Sequence, residues 1–345
     1  MIAAPAERAS CATGFGGCLS RQTHGGRAWY PLAYPALSSS IYTWDHDDPM
    51  PPMRDPEHYT GKNVDLGAYG AARLHPTDRL AVILGARVAS YRRQQDNTNP
   101  APTQYTRYDN RENGVVTPYA GLVYDMGAHH SAYASYTRIY HPQNDVDEQG
   151  SVLPPARGNA YETGVKGEYF DGGLNATLAL FRVDQENRAV ALTDLRGCAD
   201  ANNCNEPSGE IRSQGIDLEL QGAVTENWQV GGGYTYARTH TIKDAANPQN
   251  VNQQFDTDTP EHLFKLTTRY QFQGPLEKLR VGGNVYWQSR MYNDVALLDG
   301  GSYRLKQGAY AVTDLMAGYK VNDHLDLQVN ANNIFDRRYY STIAN

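Results

Sequence analysis

The chain has 345 residues, a formal net charge of −7 and 20% charged residues. With that balance and no basic stripe, a nucleic-acid-binding surface is excluded. Mean hydropathy is −0.63, and no run approaches the ~20 apolar residues a membrane helix needs, although membrane strands pass that test unseen because their apolar residues alternate with polar ones.

The composition includes 25 Tyr and 32 Gly against only 7 Phe. Tyr suits strands and interfacial girdles, and Gly suits tight turns and close strand packing. The N-terminal stretch "MIAAPAERASCATGFGG" shows no basic segment followed by an apolar one, so no signal peptide is visible. Cys11 and Cys18 lack zinc-site spacing and read as unremarkable thiols.

From Lys62 the sequence becomes a series of period-two segments. "YETGVKGEY" sets Tyr161, Thr163, Val165 and Tyr169 opposite Glu162, Lys166 and Glu168. "IDLELQ" sets Ile216, Leu218 and Leu220 opposite Asp217, Glu219 and Gln221, and "LFKLTTRY" sets Phe264, Leu266, Thr268 and Tyr270 opposite Lys265 and Arg269. This alternation predicts about twelve strands, starting near residues 62, 78, 114, 129, 156, 173, 210, 226, 259, 278, 306 and 323.

The connections alternate in length. Short turns are predicted at 75–78, 125–130, 170–173, 224–227, 273–277 and 321–324, and long polar loops at 93–113, 141–155, 187–209, 241–258 and 293–305. In an up-and-down meander every second connection lies at the same end, so one end is trimmed and the other elaborated. That is the plan of an outer-membrane barrel. A soluble sandwich would force Glu162, Lys166, Asp217, Glu219, Lys265, Arg269 and Asp326 into a dry core, where unpaired charges almost never go. The expected fold is therefore all-β, an antiparallel up-and-down transmembrane β-barrel, with its polar face lining a wet or protein-filled lumen.

Few groups suggest chemistry. No nucleophile-elbow or P-loop pattern appears. His129 and His130 are adjacent on a strand and point to opposite faces, which disfavours a shared metal. The "GGG" at 231–233 reads as close strand packing. Cys198 and Cys204 bracket a short polar loop and are expected to form a disulfide in an oxidising compartment.

Five segments carry a resemblance: "YASYTRIYHPQ" (133–143), "YETGVKGEYFDGGLNATLALF" (161–181), "RSQGIDLELQG" (212–222), "TPEHLFKLTTRYQFQG" (259–274) and "NANNIFDRRYY" (330–340). Together, in that order, they resemble the barrel of TonB-dependent outer-membrane receptors, and within these the ferric-siderophore branch for coprogen, rhodotorulic acid, ferrichrome and pyoverdine types. The resemblance covers residues 38 to 345 and leaves 1–37 as an unmatched leader. It implies a partial barrel of about twelve strands from a type with about 22. The plug domain, the TonB-coupling segment and the last strand would lie outside the chain, leaving open edges at 62–75 and 323–335.

The resemblance further implies localisation in the cell outer membrane and no enzymatic activity or cofactor of the protein's own, since iron arrives only as a siderophore chelate. Partners would be a ferric siderophore, the TonB energy-transducing complex and outer-membrane lipid, with no nucleic acid. A bulky, often anionic chelate calls for aromatic faces and cations near the loop ends of strands. By parity, Arg138 and Tyr140 on one strand and Arg290 and Tyr292 on another are polar-face candidates. Trp44, in "SIYTWDHDDP", is a further ligand-binding candidate, and Trp287 reads as a lipid-facing girdle residue. A passive porin and a non-transporting truncated product are the alternatives.

Overall fold

In the computed structural model, residues 10–11, 16–28, 57–100, 103–192, 194–195, 197–198, 204–296 and 301–343 are described. Trp44 lies outside them. The chain divides into two compact units, one from Met1–Ala71 and Gly85–Thr117, the other from Ala72–Leu84 and Pro118–Asn345.

The first unit holds β1 (Ser10–Cys11), β2 (Gly16–Ala28) and the outer parts of β3 (Glu57–Thr77), β4 (Leu80–Pro100) and β5 (Thr103–Asp125). The ladder from Gly16↔Tyr69 to Ala28↔Glu57 joins β2 to β3. Two expectations change here. The stretch around 62–75 was expected to be an open edge, yet its residues up to Tyr69 are paired, and Gly16–Ala28 is a strand despite its weak alternation. The loop expected at 93–113 is strand on both sides, because β4 runs to Pro100 and β5 starts at Thr103. Arg92 grips Asp109 through Nε and Nη2 at 3.1 and 2.8 Å, so polar side chains continue the hairpin after the apolar pattern stops.

The second unit is an antiparallel meander. After the end of β5 come β6 (His130–His141), β7 (Ala156–Tyr169), β8 (Leu174–Ala191), β9 (Asn205–Thr225), β10 (Trp228–Lys243), β11 (His262–Gln271) and β12 (Leu279–Gln288). A separate ribbon, β13 (Met291–Ala296) with β14 (Ser302–Gln307), interrupts the series before β15 (Tyr310–Asn322) and β16 (Leu325–Ala331) close it. From β5 to β12 each strand pairs with the next in sequence, β13 pairs only with β14 among the described residues, and β12 pairs with β15, which pairs with β16. Among the described residues β16 pairs only with β15, which leaves its second edge open. No helix among the described residues is long and apolar enough to cross a membrane.

The short turns lie at one end and are tied to one another. Backbone bonds run from Asp125 N to the Arg79 carbonyl, Glu168 N to His129, Ala223 N to Gly173, Gln271 N to Asn227 and Lys320 N to Lys278, each 2.7–2.9 Å. Long loops meet at the other end. Asn205 N donates to the Val146 carbonyl at 2.8 Å, and Tyr292 N to Thr257 at 2.8 Å. Of the loop expected at 293–305, the residues up to Ala296 and from Ser302 onward belong to the β13–β14 ribbon.

Register sorts the side chains into two faces. Directly paired residues share a face, so Val165, Leu178, Leu218, Tyr234, Phe264 and Trp287 form one continuous row. Val165, Leu178 and Leu218 are each about 45% exposed (44, 44 and 45%), which suits lipid and not water. Aromatics bracket this face at the same eight-residue interval on two strands, Tyr161 to Tyr169 on β7 and Trp228 to Tyr236 on β10. Eight steps are roughly 27 Å along a strand, close to the ~25 Å apolar band of an outer-membrane barrel before strand tilt is allowed for.

The opposite face is polar and internally paired. Tyr133 Oη donates to Glu162 at 2.6 Å, with Lys166 Nζ 5.0 Å from the Tyr133 ring. Arg280 binds Asp326 bidentately at 2.7 and 2.6 Å, beside a hollow of about 630 Å³ that Arg269, Asp314 and Gln328 also line. At Gly232 an added Cβ would lie 2.6 Å from the Lys265 carbonyl, so the glycine run does serve close strand approach.

Candidate functional site

At the loop end the structure gathers aromatic and cationic groups into three clusters. The first stands on the polar face where β12 and β15 meet. Tyr286 and Tyr310 both donate to Gln288 Oε1, at 2.6 and 3.1 Å, and Tyr339 stacks on Tyr310 with ring centroids 4.3 Å apart. These shared bonds fix the ring orientations and make a rigid aromatic wall.

The second cluster is the β13–β14 ribbon. Its register puts Tyr292, Asp294, Arg304 and Lys306 on one face. Arg304 lies 4.3 Å from the Tyr292 ring centroid and chelates Asp294 through Nε and Nη2 at 2.5 and 2.6 Å. That bonding holds the Asp294 carboxyl below its ordinary range. The ribbon's other face anchors it: Met291 is buried, and Gln288 Nε2 lies 3.6 Å from its sulfur.

The third cluster joins the top of β8 to the 244–261 loop. Arg188 sits with its guanidinium carbon 4.1 Å from the Phe255 ring centroid, and Asp256 and Asp145 lie close enough to act on its charge. Arg188, Phe255, Glu210 and Asn250 line a polar hollow of about 400 Å³. Partial desolvation first, and then Asp258, push the carboxyl of Asp256 up, against the pull of Arg188, although the residue keeps an exposed surface. Register shifts on either side of Arg188 break the alternation there, so simple parity gave no signal for this residue.

The expected site residues are not brought together. Arg290 is exposed at the corner after β12 and Tyr292 is the second residue of β13, so both flank the buried Met291 beside the aromatic wall. Arg138 and Tyr140 need correction. They were placed on the polar face, but Tyr136↔Tyr161, Arg138↔Asn159 and Tyr140↔Arg157 put them on the face of Tyr161 and Val165. The reason is that this face turns from apolar to charged above the girdle while its parity stays unchanged. Trp287 lies on the lipid face, as expected.

Cys198 and Cys204 are disulfide-bonded, with Cα atoms 6.0 Å apart, and Leu192 N donates to the Cys204 carbonyl at 3.0 Å. The bridge ties Cys198 to Cys204, and the Leu192–Cys204 backbone bond closes the base of the longer loop that contains it.

An antiparallel meander with a lipid-suited face, a charged face, trimmed turns and long loops defines the wall of an outer-membrane β-barrel. The chain belongs to the family described as TonB dependent receptor-like, beta-barrel, which it matches over residues 12–334, a match that begins ahead of residue 38. It is 37% identical over 304 residues to the ferric-pyoverdine BN7/BN8 receptor of Pseudomonas putida, covering 88% of this chain and 35% of that protein. It is 35% identical over 322 residues to the ferripyoverdine receptor of Pseudomonas aeruginosa, covering 92% and 37%. The crystal structure of the Pseudomonas aeruginosa ferripyoverdine receptor bound to ferripyoverdine superposes with a TM-score of 0.80 at 32% identity, covering 94% of this chain and 42% of that one. The chain thus spans well under half the length of these relatives.

Proposed function

We propose that this chain forms the loop-bearing barrel wall of a receptor that takes up a ferric siderophore of the pyoverdine class, energised through TonB. The carrying observation is the similarity to ferric-pyoverdine receptors across nearly the whole chain. Supporting it are the three aromatic and cationic clusters at the loop end, since such groups grip a bulky anionic chelate.

In this reading Tyr310 and Tyr339 offer a flat apolar surface, and Arg290 and Arg188 supply positive charge, while Arg304, paired with Asp294, orders the ribbon against Tyr292. The protein acts by binding and passage rather than by bond chemistry, and it needs no cofactor, because the siderophore already supplies the iron ligands. Lipid surrounds the apolar face, and the TonB complex supplies the energy.

The test is uptake of radioiron chelates by a receptor-deficient strain carrying the full-length gene. Uptake should be selective for pyoverdine-class chelates and lost when the proton gradient is dissipated. Entry that ignores both chelate identity and the gradient would indicate a passive channel instead.

A further inference from the structure

Asn187, Arg188 and Ala189 sit where β8 loses its regular neighbours. The ladder with β7 ends at Arg157↔Glu186, and the pairing with β9 is broken by register shifts on either side of Arg188. Asn187 is also turned into the left-handed region, at φ 58°. Backbone groups that leave a ladder in a packed region need another partner. Here one side chain supplies it. Gln143, only 8% exposed in the loop between β6 and β7, donates from Nε2 to the Asn187 carbonyl at 2.7 Å. Its Oε1 accepts from Ala189 N at 2.9 Å.

These two bonds bracket Arg188. They are the bonds that one residue of a neighbouring strand would make to the backbone on either side of it, so a side-chain amide stands in for a peptide group. A primary amide suits the place because one planar group carries a donor beside an acceptor, whereas a carboxylate could only accept. Nε2 also reaches the Pro154 carbonyl, at 2.6 Å, which ties the exit from β6 to the entry into β7. The loop between them has its own small core in the buried Val146 and Leu153, and Leu153 N donates to the Asp145 carbonyl at 2.8 Å. Asp145 is one of the acids that act on Arg188. Gln143 therefore fixes both the backbone that carries Arg188 and the loop that carries its acidic neighbour.

We propose that Gln143 is the positioning residue that presents Arg188 to the ferric chelate, a role that rests on the reading of Arg188 as a ligand-binding cation. Gln143 is buried and acts through the 187–189 backbone. With its amide in place the guanidinium is held 4.1 Å from the Phe255 ring centroid, at the wall of the polar hollow. Without it, the Asn187 carbonyl and the Ala189 amide lose this partner and the irregular turn of β8 relaxes. The guanidinium then has to be ordered again when the chelate binds, which weakens affinity.

The test is a double-mutant cycle on the detergent-purified full-length protein, read by fluorescence quenching with a ferric pyoverdine. Gln143→Ala should weaken binding about five-fold, the size of one net hydrogen bond. In an Arg188→Ala background it should cost nothing more, because the two residues act as one unit. Purely structural damage would add to the Arg188 loss instead. Hydrogen exchange should show a faster amide at Ala189 in Gln143→Ala. If that variant does not fold, Gln143→Glu keeps the shape and the acceptor but sets a carboxylate against two carbonyls. Compared with the natural protein at the same pH, it should bind weakly at neutral pH and recover in mild acid, where the protonated acid donates again. Additive losses, full affinity of either Gln143 variant at neutral pH, or an unchanged Ala189 amide would overturn the positioning role and leave Arg188 in the ligand site. Full affinity in Arg188→Ala would overturn that ligand role and this proposal with it.

Discussion

Arg188 carries its guanidinium 4.1 Å from the centroid of the Phe255 ring, joining a membrane strand to the 244–261 loop across a polar hollow. Two acids, Asp256 and Asp145, also act on this cation. A cation held by a ring and without a direct ion pair among the described residues is placed to meet an anionic ligand. Arg188→Ala should weaken ferric-chelate binding about ten-fold, the size of one partly desolvated cation–π and charge contact. Arg188→Lys should recover part of that loss. Ligand fluorescence quenching by the full-length protein measures both, and unchanged affinity in the alanine variant would remove Arg188 from the ligand site.

The Cys198–Cys204 bridge closes a short loop whose base is pinned by the Leu192–Cys204 and Asn205–Val146 backbone bonds. The closed loop is small, so its stabilisation should be modest, about 2 kcal/mol by loop-closure entropy. Reduction should open the loop to proteases and leave the barrel strands intact. Alkylation followed by mass spectrometry should find both thiols protected in exported protein until reductant is added. Free thiols at both positions would reject the bridge.

Asp256 provides a pH dependence with a definite sign. Partial desolvation and Asp258 raise its pKa above the ordinary carboxylate value. The folded loop therefore prefers the protonated acid. Its favourable contribution is fully present below the ordinary carboxylate pKa and is lost as pH rises through the raised folded value. Asp256→Asn should accordingly slow amide exchange in the 244–261 loop at neutral pH and change little in acid. Faster exchange at neutral pH would mean that the attraction to Arg188 outweighs burial.

Much of the fold was legible because period-two alternation is a local property. "IDLELQ" placed Ile216, Leu218 and Leu220 on one face, and the register agrees. The turn and loop alternation followed from the short polar interruptions. What the sequence hid is what water changes. Beyond the girdle a strand no longer needs apolar residues, so the β4–β5 hairpin looked like a loop although Arg92 and Asp109 still pair across it. The same effect misled the site assignment. Arg138 and Tyr140 are polar residues on the lipid-side parity, and only their pairing with Asn159 and Arg157 shows it. Arg188 was missed because flanking register shifts erase its parity. The Tyr310–Tyr339 stack joins segments on either side of β16, a tertiary fact that no local pattern carries.

A barrel wall requires one face toward lipid, and neighbouring residues on one strand report which face that is. Leu218 pairs with Leu178 and Tyr234 on the apolar face, whereas Asp217 accepts a 2.7 Å bond from Thr235 on the polar one. Nitroxide labels at Leu218→Cys and Asp217→Cys, in the full-length protein in bilayers, report their surroundings through relaxation by oxygen and by a water-soluble nickel chelate. The label at 218 should respond mainly to oxygen, which concentrates in lipid, and the label at 217 should show a much smaller oxygen-to-nickel ratio. Nickel-dominated relaxation at 218, or equal ratios at the two sites, would contradict a barrel wall with this face outward.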